Sequence, residues 1–220
     1  MGAQAIATSS AAHAFTLGQP DGTVTRDQAL AHAADIVAAV TVPVQGDFEN
    51  GYSDTPEGTA QTLRLAAQAG LAGICIEDVP FAAATAARAL PDDFVLTARA
   101  DGIMIGAYDI DEAIRRLQAF AAAGADCLYA PMPASMDDLA QIVAQTDKPV
   151  NALVAGPFAR HSRADFAAIG VARLSLGSAL ARATHRTIHD AATAMFDTGD
   201  FSALGNGLNG SIVDALLTKE

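Results

Sequence analysis

Short apolar runs without alternation recur along the chain, each preceded by a helical pattern and a glycine and each ending in polar or acidic residues. The clearest copies are Ala69-Gly70-Leu71-Ala72-Gly73-Ile74-Cys75-Ile76-Glu77-Asp78, Ala123-Gly124-Ala125-Asp126-Cys127-Leu128-Tyr129-Ala130 and Ile169-Gly170-Val171-Ala172-Arg173-Leu174-Ser175. In each, the glycine supplies the left-handed cap that ends a helix before the chain enters a strand. Runs that stay apolar suit parallel strands covered on both faces. The pattern predicts strands over 5–8, 42–47, 72–77, 94–99, 126–130, 149–154 and 171–175. Between them it predicts helices over 25–40, 55–69, 109–122, 135–144 and 163–168, with a stub over 82–90. A long helix over 176–196 and an amphipathic tail over 211–217 close the chain.

Local chemistry agrees with these boundaries. Thr25 is a helix cap with Asp27 in the first turn, and Thr55-Pro56 pairs a cap with proline at the first helical position. The helix over 109–122 places Ile110, Ala113, Ile114, Leu117 and Phe120 on one face and Asp111, Glu112, Arg115 and Arg116 on the wet side. Seven parallel strands alternating with helices leave an α/β barrel or an open doubly wound sheet. No Gly-x-Gly-x-x-Gly follows the first strand, so the barrel is preferred. At 220 residues the chain falls a little below the roughly 250 of a full eight-unit barrel.

Composition narrows the class further. A net charge of −12 argues against a nucleic acid or an anionic membrane as partner. Cys75 and Cys127, the two cysteines, lie inside apolar runs and read as inert core thiols in a reducing compartment. No window reaches eighteen apolar residues free of glycine or charge, and the expected location is cytoplasmic.

Candidate chemistry centres on Val44-Gln45-Gly46-Asp47-Phe48-Glu49-Asn50-Gly51-Tyr52, where an apolar run ends in two acids spaced i, i+2. On a strand that spacing puts both carboxylates on one face. In a barrel the C-terminal strand ends form the active-site mouth. Those ends carry Ser9 and Ser10, Asp47 and Glu49, Glu77 and Asp78, Arg99 and Asp101, Asn151 and Ser175. Several acids facing one arginine and a pair of hydroxyls suit a hard divalent cation, Mg²⁺ or Mn²⁺, and an anionic substrate. Taken singly, Asp78 and Ser9 also read as helix caps and Arg99 as the neutraliser of Glu77. His13 reads as a packed or surface residue. His185 and His189 are spaced to share a zinc ion but lack a third ligand.

In the same order, Ala5-Ile6-Ala7-Thr8-Ser9-Ser10, Leu17-Gly18-Gln19-Pro20-Asp21-Gly22, the Asp47 to Tyr52 core, Gly73 to Asp78, Ala98-Arg99-Ala100-Asp101, Asp111 to Arg116 with Ala123 to Asp126, and Gly170 to Ser178 resemble the isocitrate lyase and phosphoenolpyruvate mutase superfamily. The resemblance implies a (β/α)8 TIM barrel. It implies a metal site of Asp47, Glu49 and Glu77 for Mg²⁺ or Mn²⁺, with Asp21 in the water network. A small 2-oxo acid or phosphonate is then held by Ser9, Ser10, Arg99 and Asn151, and Asp47, Arg99 and Asp21 serve the reaction. Relatives cleave or form carbon–carbon or carbon–phosphorus bonds through a metal-stabilised enolate. They also form dimers and tetramers, which assigns 176–220 of this single barrel domain to homo-oligomer assembly.

Three departures shape the expectation. The chain aligns from the family's second strand, so the first strand and helix are expected to be missing, with the gap covered in an oligomer. The segment from Val79 to Asp93 is short and has no Cys or Lys, which argues against the cysteine-dependent isocitrate cleavage route. Pro131 stands where the lyases place a glutamate that meets larger tricarboxylates. The expected activity is lyase, hydrolase or mutase chemistry on a small 2-oxo carboxylate. The alternative is a catalytically idle barrel kept as an oligomeric or binding scaffold.

Overall fold

The computed structural model describes residues 2–78, 90–91 and 93–218. Its seven strands are β1 (Ile6–Ala7), β2 (Val44–Asp47), β3 (Gly73–Glu77), β4 (Val95–Arg99), β5 (Cys127–Tyr129), β6 (Val150–Leu153) and β7 (Arg173–Ser175). All pair in parallel, each with its neighbours in sequence, in the order β1-β2-β3-β4-β5-β6-β7. Strands that follow one another this way, with helices in the crossovers, wind into a nearly closed α/β barrel. The predicted strand set is therefore the observed one. The predicted stub over 82–90 and most of the short segment after Asp78 lie outside the described residues.

The helices are α1 (Ser10–Thr16), α2 (Arg26–Ala39), α3 (Pro56–Gln68), α4 (Gly102–Ile105), α5 (Ile110–Ala123), α6 (Met136–Ala144), α7 (Arg163–Ala168), α8 (Ala179–Thr198) and α9 (Gly210–Leu217). Their starts are chemically marked. Thr25 forms a capping box with Gln28, Thr55 accepts from the Gly58 amide ahead of Pro56, and Asp109 caps α5. Gly70, Gly124 and Gly170 all have positive φ, as the repeated pattern requires.

Two differences from expectation have local causes. Ser9 and Ser10 do not extend β1; Ser9 becomes a cap whose hydroxyl accepts from the Ala12 amide, and Ser10 opens α1. Hydroxyl capping competes with strand pairing after only two paired residues. The last long helix begins at Ala179 rather than Leu176.

The core forms two apolar clusters. In the first, Val44, Phe48, Ile74 and Leu96 from the β2–β4 region pack with Ala33 of α2 and Leu63 of α3. In the second, Leu128, Val150 and Ala152 pack with Leu117 of α5, Ile142 of α6 and Phe166 of α7. Gly46 has a specific packing reason, because a Cβ there would lie 2.3 Å from the Phe48 ring. The ring folds back under β2 just beside Asp47 and anchors the strand end that carries the acids.

The chain divides into two compact units, Met1–Ala179 and Leu180–Glu220. The second comprises almost all of α8, a 3-10 turn at Ser202–Asn206 and α9. Its large apolar side chains are exposed, Phe196 at 85%. Among the described residues, no helix is long and apolar enough to cross a membrane.

Candidate active site

The acids meet at the C-terminal ends of β2, β3 and β4. Register pairs Asp47 with Cys75 and Glu77 with Arg99, which sets the three strand ends side by side. The Asp47 amide bonds to the Thr8 hydroxyl at 2.8 Å, and its Oδ2 accepts from the Ser10 amide at 3.1 Å. Thus the residue after β1 fixes the Asp47 backbone, and the start of α1 holds one carboxylate oxygen. The other, Oδ1, has no hydrogen-bond partner in the structure and lies 3.9 Å from the Arg99 guanidinium.

Arg99 is the cationic hub. One of its terminal nitrogens meets Glu77 at 2.8 Å, and its Nε donates to Asp101. The Arg99 and Asp101 side chains are only 14% and 11% exposed. Burial pulls the Arg99 pKa down, but the charges of Glu77 and Asp101 outweigh it and leave it raised. The Tyr129 ring lies 5.3 Å from the guanidinium carbon and adds a cation–π contact. The sequence reading of Arg99 as the neutraliser of Glu77 holds in this geometry, with Asp101 as a further partner.

The acids are less well compensated. Burial raises the Asp47 pKa against the opposing pull of Arg99 and the Ser10 amide, and Asp21 pushes it further up. Burial, then Asp21 and Asp47, raises Glu49. Burial also raises Glu77, with Arg99 opposing and Asp101 adding repulsion. Asp21 is exposed in a loop, yet its charge reaches both Asp47 and Glu49, which brings it into the group the sequence assembled. Among the described residues, no three His, Cys, Asp or Glu side chains gather closely enough to enclose a metal on their own.

Backbone strain marks the same rim. The described non-glycine residues with positive φ are Glu49, Tyr52, Asp78 and Met132, all just beyond strand ends. Such conformations cost free energy and persist where the surrounding contacts demand them. Tyr52 was not singled out from the sequence. Its hydroxyl is buried without a partner, its ring meets Phe48 edge-on at 6.0 Å, and burial followed by the charges of Glu49 and Asp47 disfavours its ionisation. An aromatic residue with a polar tip three positions beyond Glu49 was the available signal.

The opposite rim differs. Asn151 is 2% exposed, donates from Nδ2 to the Ser175 hydroxyl at 2.9 Å, and leaves Oδ1 without a partner. Deeper in, the Thr97 hydroxyl takes hydrogen bonds from Gln45 and Arg173. Cys75 and Cys127 are buried and their thiols are pushed up by burial, in keeping with inert core residues. His13 is buried with its ring stacked on His32 at 3.9 Å, and it packs α1 on α2 away from the acids. His189 pairs with Asp190 on α8.

An α/β barrel with acids converging on a half-buried arginine at its strand ends has the architecture in which small-molecule sites are commonly built. The chain belongs to the phosphoenolpyruvate phosphomutase family, whose model matches residues 1–196. The wider superfamily comprises Mg²⁺-dependent lyases, mutases and hydrolases acting on carbon–carbon or carbon–phosphorus bonds. An uncharacterized protein of Mycobacterium tuberculosis is 35% identical over 190 residues, covering 80% of this chain and 70% of its own. Oxaloacetate decarboxylase of Rhodopseudomonas palustris is 30% identical over 219 residues, covering 89% of this chain and 72% of its own. A candidate lyase/mutase of known structure from Burkholderia cenocepacia superposes with a TM-score of 0.93 at 40% identity, over 99% of this chain and 84% of that one. Phosphonopyruvate hydrolase in complex with oxalate and Mg²⁺ shares the fold at a TM-score of 0.83 and 22% identity, over 98% and 83% of the two chains.

Proposed function

We propose that this chain is a Mg²⁺-dependent enzyme that cleaves a carbon–carbon or carbon–phosphorus bond next to a small 2-oxo carboxylate. The observation that carries this reading is the pair of buried carboxylate oxygens, Asp47 Oδ1 and Glu49 Oε1, that have no hydrogen-bond partner among the described residues. Unpaired buried anionic atoms are costly, and a cation among them offsets that cost. Mg²⁺ fits the donor set because it retains several waters and takes one or two carboxylates rather than an all-protein cage. Asp47 and Glu49 would hold it directly, with Glu77 and Asp21 reaching it through its waters; Mn²⁺ has similar preferences.

When bound, the cation would polarise the 2-oxo group as a Lewis acid and favour the charge that develops there. The chain's own residues handle the rest. Arg99, its guanidinium oriented by Glu77 and Asp101, faces the substrate carboxylate. Ser9, Ser10 and Asn151 supply neutral polar contacts around the anion. The described thiols are buried and inert, which supports a route that does not use them. The similarity to an oxaloacetate decarboxylase supports a 2-oxo dicarboxylate or its phosphonate analogue as the substrate class.

Calorimetric titration with oxalate, run with and without Mg²⁺, tests the reading alongside turnover of oxaloacetate and phosphonopyruvate. Oxalate binding only in the presence of Mg²⁺, with turnover of either substrate, is expected. Absence of both would leave the idle scaffold in its place. We further propose that residues 176–220 assemble the protein into a dimer or tetramer, because their apolar side chains are exposed. Light scattering should report an oligomer that Phe196→Asp weakens, and a wild-type monomer would refute this.

A further inference from the structure

We infer that Asp78 is a positioning residue: it fixes Asp101, and through Asp101 it sets the orientation of Arg99. Asp78 follows β3 directly and adopts φ +41, a conformation that costs a non-glycine residue free energy. Its backbone amide bonds to the Arg99 carbonyl at 2.7 Å, so the turn is tied to the strand that carries the arginine. Its Oδ2 accepts from the Asp101 amide at 2.9 Å. The Asp101 carboxylate in turn takes the Arg99 Nε–H. A single carboxylate therefore holds the backbone of the residue that aims the guanidinium.

The other oxygen of Asp78 is held from outside the strands. Its Oδ1 accepts from the Tyr108 hydroxyl at 3.0 Å and from Arg116 at 3.1 Å. Arg116 lies over the Tyr108 ring, 4.5 Å from its centroid, and its Nε donates to Glu112 at 2.8 Å. The Arg116 side chain, 40% exposed, keeps to the wet side expected for α5 while its tip reaches Asp78 at the strand ends. Tyr108 is seated by Gly102, where a Cβ would lie 2.0 Å from the ring. The arrangement runs without a break from α5, through Asp78 and Asp101, to Arg99.

A residue with only a capping role would not need a strained backbone, two cationic or hydroxyl donors and a bond to a residue 23 positions away. The chain of contacts instead holds a buried arginine in one orientation, which lowers the ordering cost when an anion binds. The ligand part of the inference rests on the function proposed above; the positioning part does not.

Asp78→Gly separates positioning from folding, because glycine relieves the positive φ while the carboxylate is removed. Asp78→Asn is the conservative control, since it tolerates the same φ and keeps an acceptor for the Asp101 amide. Nitrogen-15 NMR of the Arg99 Nε–H should show slow exchange with water in the wild type and in Asp78→Asn. Slow exchange should be lost in Asp78→Gly at an unchanged melting profile. Oxalate affinity with saturating Mg²⁺ should fall about tenfold in Asp78→Gly, with Mg²⁺ affinity unchanged. Slow Arg99 exchange persisting in Asp78→Gly would overturn the inference. If wild type binds no oxalate, the proposed function fails, while the NMR comparison still decides the positioning role.

Discussion

The rim of the barrel is chemically divided. From β1 to β4 it carries Asp47, Glu49, Glu77 and Arg99, all half-buried, with buried Asp101, and two of its carboxylate oxygens have no hydrogen-bond partner among the described residues. From β5 to β7 the corresponding positions are Tyr129, Asn151 and Ser175, all neutral, with Asn151 bonded to Ser175 and the Tyr129 ring against Arg99. Both sides rest on apolar clusters of similar make-up, so packing does not explain the contrast. Unscreened like charges raise the free energy of the folded state, and only one side of this rim accepts that cost. On the function proposed above, the first side would take the cation and the second would shape the substrate pocket.

Asp47→Asn should break the charged side most severely. It keeps the shape and an acceptor for the Ser10 amide but removes the anion at the centre of the group. Mg²⁺ binding by calorimetry should disappear, and turnover should fall by about 10³-fold. Intact Mg²⁺ affinity would move the metal away from this strand end.

Arg99→Gln comes next. It leaves Glu77 and Asp101 as uncompensated acids in a mostly buried setting, and a stability loss of about 3 kcal/mol is expected from the breaking of such a pair. Denaturant unfolding measures it, and Mg²⁺ should recover part of the loss by pairing with the acids.

The pH dependence sharpens the same contrast. Asp47, Glu49 and Glu77 have pKa values raised by burial, so the folded protein binds their protons more tightly than the unfolded chain does. Stability therefore falls as pH rises from the ordinary carboxylate range through the raised values. A cation favours the ionised forms and reverses that trend. The rise in Tm caused by Mg²⁺ should thus be larger at about pH 8 than at about pH 6, with proton release on binding. An equal rise at both would remove these acids from the metal site.

The smallest effect belongs to the neutral side. Asn151→Ala removes the bond to Ser175, for a loss of about 1 kcal/mol or roughly fivefold in oxalate affinity. Mg²⁺ affinity should not change. A change as large as that from Asp47→Asn would erase the division of the rim.

Much of this was legible in the order of residues. Seven strands, their parallel pairing, the caps at Thr25 and Thr55, and the glycine helix ends follow from local pattern, which acts over only a few residues. The acids at Asp47 and Glu49 were visible because strand alternation puts them on one face. Tyr52 and Asp78 were harder to place, since positive φ at a non-glycine residue has no sequence signature. Arg116 read as a solvated helix residue because nothing local marks Asp78 as its partner 38 positions away. Ser9 was ambiguous between strand end and helix cap, and the choice turned on how few residues β1 pairs with β2.

By itself, then, the sequence determined the seven strands and most of the helices, though not α1 or α4, and that acids, hydroxyls and one arginine would share the C-terminal rim. Periodicity and capping are short-range effects and need no knowledge of distant partners. Only the tertiary structure decided that Glu77 and Asp101 together hold Arg99, that Asp47 Oδ1 and Glu49 Oε1 have no hydrogen-bond partner among the described residues, and that α5 reaches the rim through Asp78. Those facts depend on register between strands and on which burial each carboxylate meets. Neither is set until the barrel has wound.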